Sequence, residues 1–279
     1  MTLIRIVLTL VMTLMIGFLN AQQMTGRAVY KSMSKMEIRL DSTEASAAMQ
    51  ADLQEQLMEA MKKDYELNFN STESNWKELP KLDKSMGGGG IQVIGIASGG
   101  GADGLLYKNT KTKGFSETQG MFGKLFLIEG DLEEYEWELG SETKQIGQYT
   151  CYKATAVRKF MASSFSSSDD GVDSSEQERE QTLTAWYSPE IAVNHGPDVF
   201  WGLPGLILEI SNGERTLICS QVILNPSDAK AVVPATKGKK VTEAEYEDIM
   251  EKQMQKMHRM HGGRKKGDGR GNIEIRIGG

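Results

Sequence analysis

Short runs of apolar residues alternating with polar ones recur between residues 105 and 224, and they constrain the fold more than any other feature. Such runs, separated by polar or glycine-containing turns, are typical of β-strands, in which successive side chains point to opposite faces. The predicted strands are 105–107, 113–118, 124–128, 135–139, 149–157, 182–187, 206–210 and 216–224. With similar patterns at 25–40, 65–69 and 76–79, they predict a mainly antiparallel sheet.

Two segments have instead the three-to-four-residue apolar spacing of amphipathic helices. The first, 43–62, carries Met49, Leu53 and Leu57 at this spacing; the second is 242–260, with Thr242 placed to cap its start. A sheet must bury one face. We therefore predict a mainly β fold, a curved antiparallel sheet or open barrel packed against the first helix, with a C-terminal helix. A β-sandwich is the alternative.

Residues 1–21 resemble a secretory signal peptide. Arg5 is their only charge, and the apolar run at 6–18 that follows it leads to the small residue Ala21. A membrane-spanning helix takes about 20 apolar residues, so this run is short for an anchor. We expect cleavage near Ala21, a periplasmic or extracellular protein, and no transmembrane span after cleavage.

The mature chain is predicted to be one β-rich domain over residues 22–261. Its flexible insertions are expected near 80–104, which is rich in glycine, and 162–180, which is rich in serine and acidic residues. A Gly- and Arg-rich tail, 262–279, is expected to be disordered. The net charge of −6 argues against general nucleic-acid binding, which needs a basic face.

Cys151 and Cys219 are the only cysteines. Two cysteines in one exported domain usually pair, so we predict a disulfide between them. A reactive thiol or a metal-binding pair is the alternative, although neither cysteine lies in a CxxC motif or beside a histidine.

Residues 201–209 read WGLPGLILE, which resembles the signature of the GLPGLI family of secreted bacterial proteins. Further segments similar to that family lie at 149–155, 185–193, 195–197 and 245–250. The resemblance implies export and a β-rich fold. Because the family has no assigned activity, it implies no catalytic residue.

Pro204 and Gly205 suit the central positions of a type II turn, where proline fixes φ and glycine accepts positive φ. We predict that nearby aromatic residues pack around this turn, as a structural corner or as the mouth of a ligand site. The residues of this predicted corner are Trp186, Tyr187, Phe200, Trp201, Gly202, Pro204 and Gly205.

Candidates for catalysis are few. His195 is the one histidine in the predicted globular part, and a GxSxG nucleophile elbow is absent from the sequence. His195 in Asn-His-Gly-Pro is therefore interpreted as a turn residue, and a hydrolase using it is kept as an alternative.

The second predicted helix has a stripe of methionine and histidine. Thioether and imidazole groups suit Cu(I), whereas a methionine stripe more often packs against apolar neighbours. The candidate ligands are Met250, Met254, Met257, His258 and His261. The favoured hypothesis is an exported non-enzymatic protein without a cofactor that binds an apolar ligand or a peptide or protein partner of the envelope. Cu(I) binding is an alternative.

Overall fold

The computed structural model describes residues 24–34, 37–40, 62–80, 104–121, 123–168, 171–262 and 273–276. Most of these residues are in β-strands, which confirms the predicted fold class. The strands are β1 (Gly26–Ser34), β2 (Glu37–Leu40), β3 (Lys63–Phe69), β4 (Glu73–Glu78), β5 (Leu105–Asn109), β6 (Gly114–Met121), β7 (Lys124–Asp131), β8 (Glu138–Ile146), β9 (Tyr149–Ser168), β10 (Gly171–Ser188), β11 (Leu206–Ser211), β12 (Arg215–Leu224), β13 (Lys239–Val241) and β14 (Ile273–Arg276). The helix α1 is Glu243–Gly262.

Twelve strands form one open sheet in the order β13-β7-β6-β5-β4-β3-β1-β12-β11-β10-β9-β8. β1 lies between β3 and β12 and so joins a meander of β3 to β7 with a second meander of β8 to β12. Among the described strands, only β13 and β7 pair in parallel. The twelve strands therefore form one sheet, in place of the two sheets of the alternative prediction.

The main core lies on one face of this sheet. Ala28, Leu67, Trp76 and Leu106 are successive cross-strand neighbours in one row, and each is at most 5% exposed. The same apolar cluster includes Ile210 from the second meander. Both halves of the sheet thus contribute to one core. The helix predicted over 43–62 to cover this face lies outside the described residues, apart from Lys62.

The predicted C-terminal helix is present as α1. Thr242 and Glu245 form a capping box, with Thr242 N–H donating to Glu245 Oε2 (2.8 Å) and Glu245 N–H donating to Thr242 Oγ1 (3.2 Å). Tyr246 packs edge-on against Phe126 of β7, with ring centroids 5.6 Å apart. No helix in the described part of the chain is long and apolar enough to cross a membrane.

The serine-rich stretch 162–180 was expected to be a flexible insertion, and the structure corrects this. β9 and β10 pair continuously from Tyr152–Tyr187 to Ser168–Gly171, so the stretch forms the outer part of a long hairpin. Cross-strand charges stabilise it, with Lys159 Nζ lying 3.3 Å from Glu180 Oε1. The tail 262–279 was expected to be disordered, whereas four of its residues form β14, which pairs with β2. The insertion at 80–104 lies outside the described residues except at its two ends.

The disulfide expected between Cys151 and Cys219 is not formed, and both residues are buried free thiols. Cys151 lies on β9 and Cys219 on β12, with β10 and β11 between them in the sheet. Burial raises the pKa of Cys151 to about 11 and that of Cys219 to about 12. Pairing under oxidising conditions stays a prediction.

Candidate functional site

The segment 189–205 connects β10 to β11 and folds back on itself at one end of the sheet. Gly202 N–H donates to Asn194 O (2.9 Å), and His195 and Trp201 form an isolated β-bridge. Leu206 N–H donates to Ile191 O (3.1 Å), and Ile207 N–H donates to His195 O (3.0 Å). These bonds tie the two halves of the segment together. We call residues 189–205 the corner.

Pro204 and Gly205 do not form the expected type II turn. Gly205 N–H donates to Leu203 O (2.8 Å), which makes a three-residue turn centred on Pro204. Gly205 lacks the positive φ that a type II turn requires, whereas Gly202 has φ of 99°. Glycine is needed at 205 because the chain passes close to β10: an added Cβ would lie 2.3 Å from Ser188 O.

Gly205→Ala should therefore lower the free energy of unfolding by about 1–3 kcal/mol, since the backbone of β10 would have to move. Gly114→Ala is a matched control, because a Cβ there would lie 3.7 Å from its nearest neighbour, Gly130 O. Urea unfolding followed by circular dichroism measures both. Equal stability of the two variants would contradict the close approach.

Hydrogen bonds from the side chains of two tryptophans join the corner to the segment that precedes β8. Trp137 Nε1–H donates to Trp201 O (2.9 Å), and Trp201 Nε1–H donates to Glu133 O (2.8 Å). The Tyr135 ring lies 5.6 Å from that of Phe200. Phe200 and Trp201 thus lie at the corner together with Tyr135 and Trp137, which the sequence analysis did not single out.

Trp186 and Tyr187, the other predicted aromatic residues, lie outside this group. The Trp186 ring is 4.4 Å from Lys144 Nζ, and the ring of buried Tyr187 faces Tyr152 at 6.3 Å. The pairing of β10 with β11 shifts register between Trp186 and Tyr187, and the two side chains contact different neighbours. The predicted aromatic mouth is therefore not assembled from the residues proposed for it.

An open cleft of about 510 Å³ lies beside the corner. Its walls are formed by 192–194 and 203–205 of the corner, by 71–72 of the β3–β4 turn and by 110–111 of the β5–β6 turn. We call it the corner cleft. Of the predicted corner residues, Pro204 and Gly205 line it, and none of the described residues in its walls is aromatic.

Asparagine side chains shape both turns of the cleft. Asn70 Oδ1 accepts bonds from Thr72 N–H (2.9 Å) and Glu73 N–H, and Asn109 Oδ1 accepts bonds from Lys111 N–H (3.0 Å) and Thr112 N–H. Such Asx turns fix the backbone independently of the rest of the fold. The hydroxyl groups of Thr72 and Thr110 and the amine of Lys111 are therefore attached to turns whose backbone is fixed.

The polar groups of the cleft are hydroxyls, an amide and one amine. Thr110 Oγ1 contacts Asn194 Oδ1 (2.9 Å) and Thr72 O (3.2 Å) across the cleft walls. Lys111 is exposed, and no ion pair to it is found among the described residues. The described residues of the cleft therefore offer one free positive charge beside hydrogen-bonding groups, and they include no carboxylate, histidine or cysteine.

Lys108 lies in β5, two residues before Thr110 of the β5–β6 turn, and its side chain is fully buried against the corner. Its ammonium donates to Gly196 O (2.8 Å), to Phe200 O (3.1 Å) and to Asp198 O. Burial lowers the pKa of Lys108 to about 7, and the nearby charge of Asp198 acts in the opposite direction. Three carbonyl acceptors favour the ammonium form. We call this arrangement the Lys108 clamp.

The clamp holds Asp198 in an uncommon conformation with φ of 54°. The Asp198 carboxylate pairs with Arg215, whose Nη1 lies 3.2 Å from Oδ2 and whose guanidinium sits over the Tyr65 ring. Burial raises the pKa of Glu117 to about 7, and the charge of Asp198 adds to this rise. The ion pair with Arg215 fixes the Asp198 side chain and so helps to position the corner.

His195 is buried, with Nε2 3.1 Å from Asn70 O. Burial, with the charge of Lys108 as a second cause, lowers the pKa of His195 to about 3. His195 was interpreted as a turn residue; it lies in the connection between β10 and β11, where it forms an isolated β-bridge with Trp201 and is fully buried. Its lack of exposure does not favour a role as a general base in a hydrolase.

The candidate copper ligands lie on α1, but only Met250 among them has a described side chain, and it is 43% exposed. The side chains of Met254, Met257, His258 and His261 lie outside the described residues. In the part of the chain that the structure describes, no group of three or more His, Cys, Asp or Glu could hold a metal ion. That search does not include methionine, so the copper site stays a prediction.

The residues of the cleft and clamp that the sequence analysis missed are mostly in turns. Lys108 carried one usable signal: it is two residues after Leu106 in a strand, so both side chains lie on the core face. A lysine in such a position needs buried partners. Thr72, Thr110 and Lys111 had no such signal, because polar residues are expected in any turn.

Residues 137–209 match the model of a family described as "Protein of unknown function (Porph_ging)". The match includes the corner and one wall of the cleft, whereas the walls at 71–72 and 110–111 precede it. No curated protein matches the chain.

Two solved structures of a protein named PNGF-II, in space groups P21 and C2, are similar to 82% of this chain. Sequence identity is 15% and 14%, and the TM-scores are 0.46 and 0.45. The chain spans about a third of the length of that protein, 34% in the first structure and 33% in the second.

Proposed function

We propose that this chain is an exported, non-catalytic binding protein of the GLPGLI type. Its corner cleft binds an extended, acidic peptide segment of a partner in the periplasm or at the cell surface. The observation that carries this proposal is the exposed amine of Lys111 in a cleft framed by two rigid turns. Export rests on the leader-like residues 1–21.

The lining of the cleft favours a peptide over the apolar ligand that was also expected. Thr72, Thr110 and Asn194 can bond to peptide N–H and C=O groups, while Val193 and Pro204 provide apolar contact. Lys111 favours a carboxylate by a charge-assisted hydrogen bond. An acidic side chain in an otherwise extended segment satisfies all three kinds of group.

The cleft is suited to binding without catalysis. His195, Lys108, Glu117 and Tyr135 lie near the corner and have strongly shifted pKa values, and none of these four residues lines the cleft. A hydrolytic site would place an acid, base or nucleophile within reach of the bound segment. The cleft instead presents fixed polar groups at its surface.

Selection of a phage-displayed hexapeptide library on the mature protein tests this function. We expect the recovered peptides to share an Asp or Glu. Lys111→Glu should weaken their binding at least tenfold, because a charge-assisted hydrogen bond contributes about 1.5–3 kcal/mol. Isothermal titration calorimetry of one recovered peptide, and of its Asp→Asn or Glu→Gln form, gives the affinities.

Lys124→Glu is the matched control, because Lys124 is exposed at the start of β7 and does not line the cleft. It changes the net charge by the same amount and should leave the affinity within twofold of the unmodified protein. Equal weakening by both variants, or recovery of no acidic consensus, would rule out the proposed role of Lys111.

A further inference from the structure

Three buried polar side chains, Ser74, Lys108 and His195, lie together beneath the corner, and each is fully buried. Ser74 is directly opposite Lys108 in the β4–β5 register and opposite Phe69 in the β3–β4 register. The His195 ring lies 6.1 Å from the Phe69 ring. Lys108 bonds to Gly196 O, the residue after His195. We call these three residues the buried trio.

The hydrogen bond of His195 fixes its tautomer. Nε2 lies 3.1 Å from Asn70 O, and a carbonyl oxygen can only accept, so Nε2 carries the proton. The ring is neutral, because burial keeps its pKa far below neutrality. Nδ1 therefore presents a bare lone pair that can only accept a hydrogen bond.

Among the residues that the structure describes, neither His195 Nδ1 nor Ser74 Oγ has a hydrogen-bond partner. Lys108 cannot supply the missing donor, because an ammonium has three N–H groups and all three bond to carbonyls of the corner. Each unsatisfied buried group costs about 1–3 kcal/mol, so folded proteins seldom leave two such groups without a partner.

The chemistry of the buried trio selects its ligand. The ligand must donate a hydrogen bond to His195 Nδ1, which excludes a carboxylate or another pure acceptor. The adjacent Lys108 ammonium disfavours a cation. A neutral hydroxyl fits, because it can donate to Nδ1 while exchanging a second bond with Ser74 Oγ.

We propose that the buried trio binds one neutral hydroxyl group, which donates to His195 Nδ1 and bonds to Ser74 Oγ. The hydroxyl belongs either to an internal water molecule or to a hydroxyl-bearing ligand that enters from the corner cleft. The cleft is close in the chain: Thr72 and Thr110 are two residues from Ser74 and Lys108, and Asn194 precedes His195. This site is independent of the peptide proposed for the cleft.

Nitrogen NMR of histidine-labelled mature protein tests the site, since accepting a hydrogen bond moves the Nδ1 resonance upfield of a bare lone pair. We expect the His195 signal at the hydrogen-bonded position, and a shift toward the bare position in Ser74→Ala. Ser188→Ala is the control, because Ser188 Oγ is also buried without a partner but lies at the end of β10. It should leave the signal unchanged.

Glycerol, as a probe hydroxyl compound, distinguishes the two sources. A further change of the His195 Nδ1 signal on adding glycerol assigns the site to a ligand hydroxyl, and an unchanged signal assigns it to water. A signal at the bare position in the unmodified protein, identical in Ser74→Ala, would overturn the proposal. So would a crystal structure with no density within hydrogen-bond distance of Nδ1.

Discussion

Replacing Lys108 with methionine should lower the free energy of unfolding by about 3–5 kcal/mol, because three backbone carbonyls would lose their donor and each unsatisfied buried group costs about 1–3 kcal/mol. Methionine keeps most of the length of the side chain, so the loss comes from the hydrogen bonds more than from a cavity. The carbonyls of Gly196, Asp198 and Phe200 would each lose the donor that now holds them.

Urea unfolding at pH 7 measures this loss, and Lys111→Met is its control. Lys111 is exposed in the turn that follows β5, so its replacement should change stability by no more than about 0.5 kcal/mol. If Lys108→Met cost no more than this control, the clamp would not stabilise the corner, and the fixed wall of the cleft would need another explanation.

Acid should destabilise the protein through His195. Its pKa is about 6.5 in the unfolded chain and about 3 in the fold, so the unfolded chain binds the extra proton between these values. The contribution of neutral His195 is complete above pH 6.5 and is lost as the pH falls toward 3. At pH 4 the loss is about 3 kcal/mol, at about 1.4 kcal/mol for each pH unit.

Comparison of the unmodified protein with His195→Gln isolates this effect. Glutamine does not titrate, so the stability of the variant should fall less steeply between pH 6.5 and pH 4, whatever its stability at pH 7. Urea unfolding at pH 7, 6, 5 and 4 gives both slopes. Parallel slopes would show that His195 does not stay neutral in the fold.

The alternation of apolar residues predicted most of the sheet because it reports which side chains face the core. It did not predict the length of the hairpin of β9 and β10. There the serine-rich composition resembles a loop, but the two strands pair with each other, as between Lys159 and Glu180. Composition describes a segment by itself, whereas pairing depends on its partner.

At the corner, too, the sequence predicted which residues matter but not the contacts that they make. The sequence singled out Pro204 and Gly205 but assigned them the conformation of an isolated Pro-Gly turn. The structure uses Gly205 for close approach to Ser188, which lies on another strand. The strand run that contains Leu106 was recognised, but the burial of Lys108 was not. Its three partners are backbone carbonyls, which have no sequence signature.

Polar residues on the back of the sheet were likewise beyond sequence reasoning. Asn75 exchanges two hydrogen bonds with the backbone of Val233, and Thr118 Oγ1 donates to Lys237 O (2.9 Å). These bonds hold the irregular segment between β12 and β13 across the sheet. Polar side chains at these positions otherwise have the pattern of a solvent-facing strand.

The central claim is that the corner cleft binds an acidic peptide, and chemical-shift mapping tests it most directly. A peptide recovered by selection is titrated into nitrogen-labelled mature protein, and the amide shifts are followed to saturation. The account predicts the largest changes at Thr72, Thr110, Lys111 and Asn194, with loss of those changes in Lys111→Glu. Saturable binding with the largest changes elsewhere, such as along β9 and β10, would contradict it.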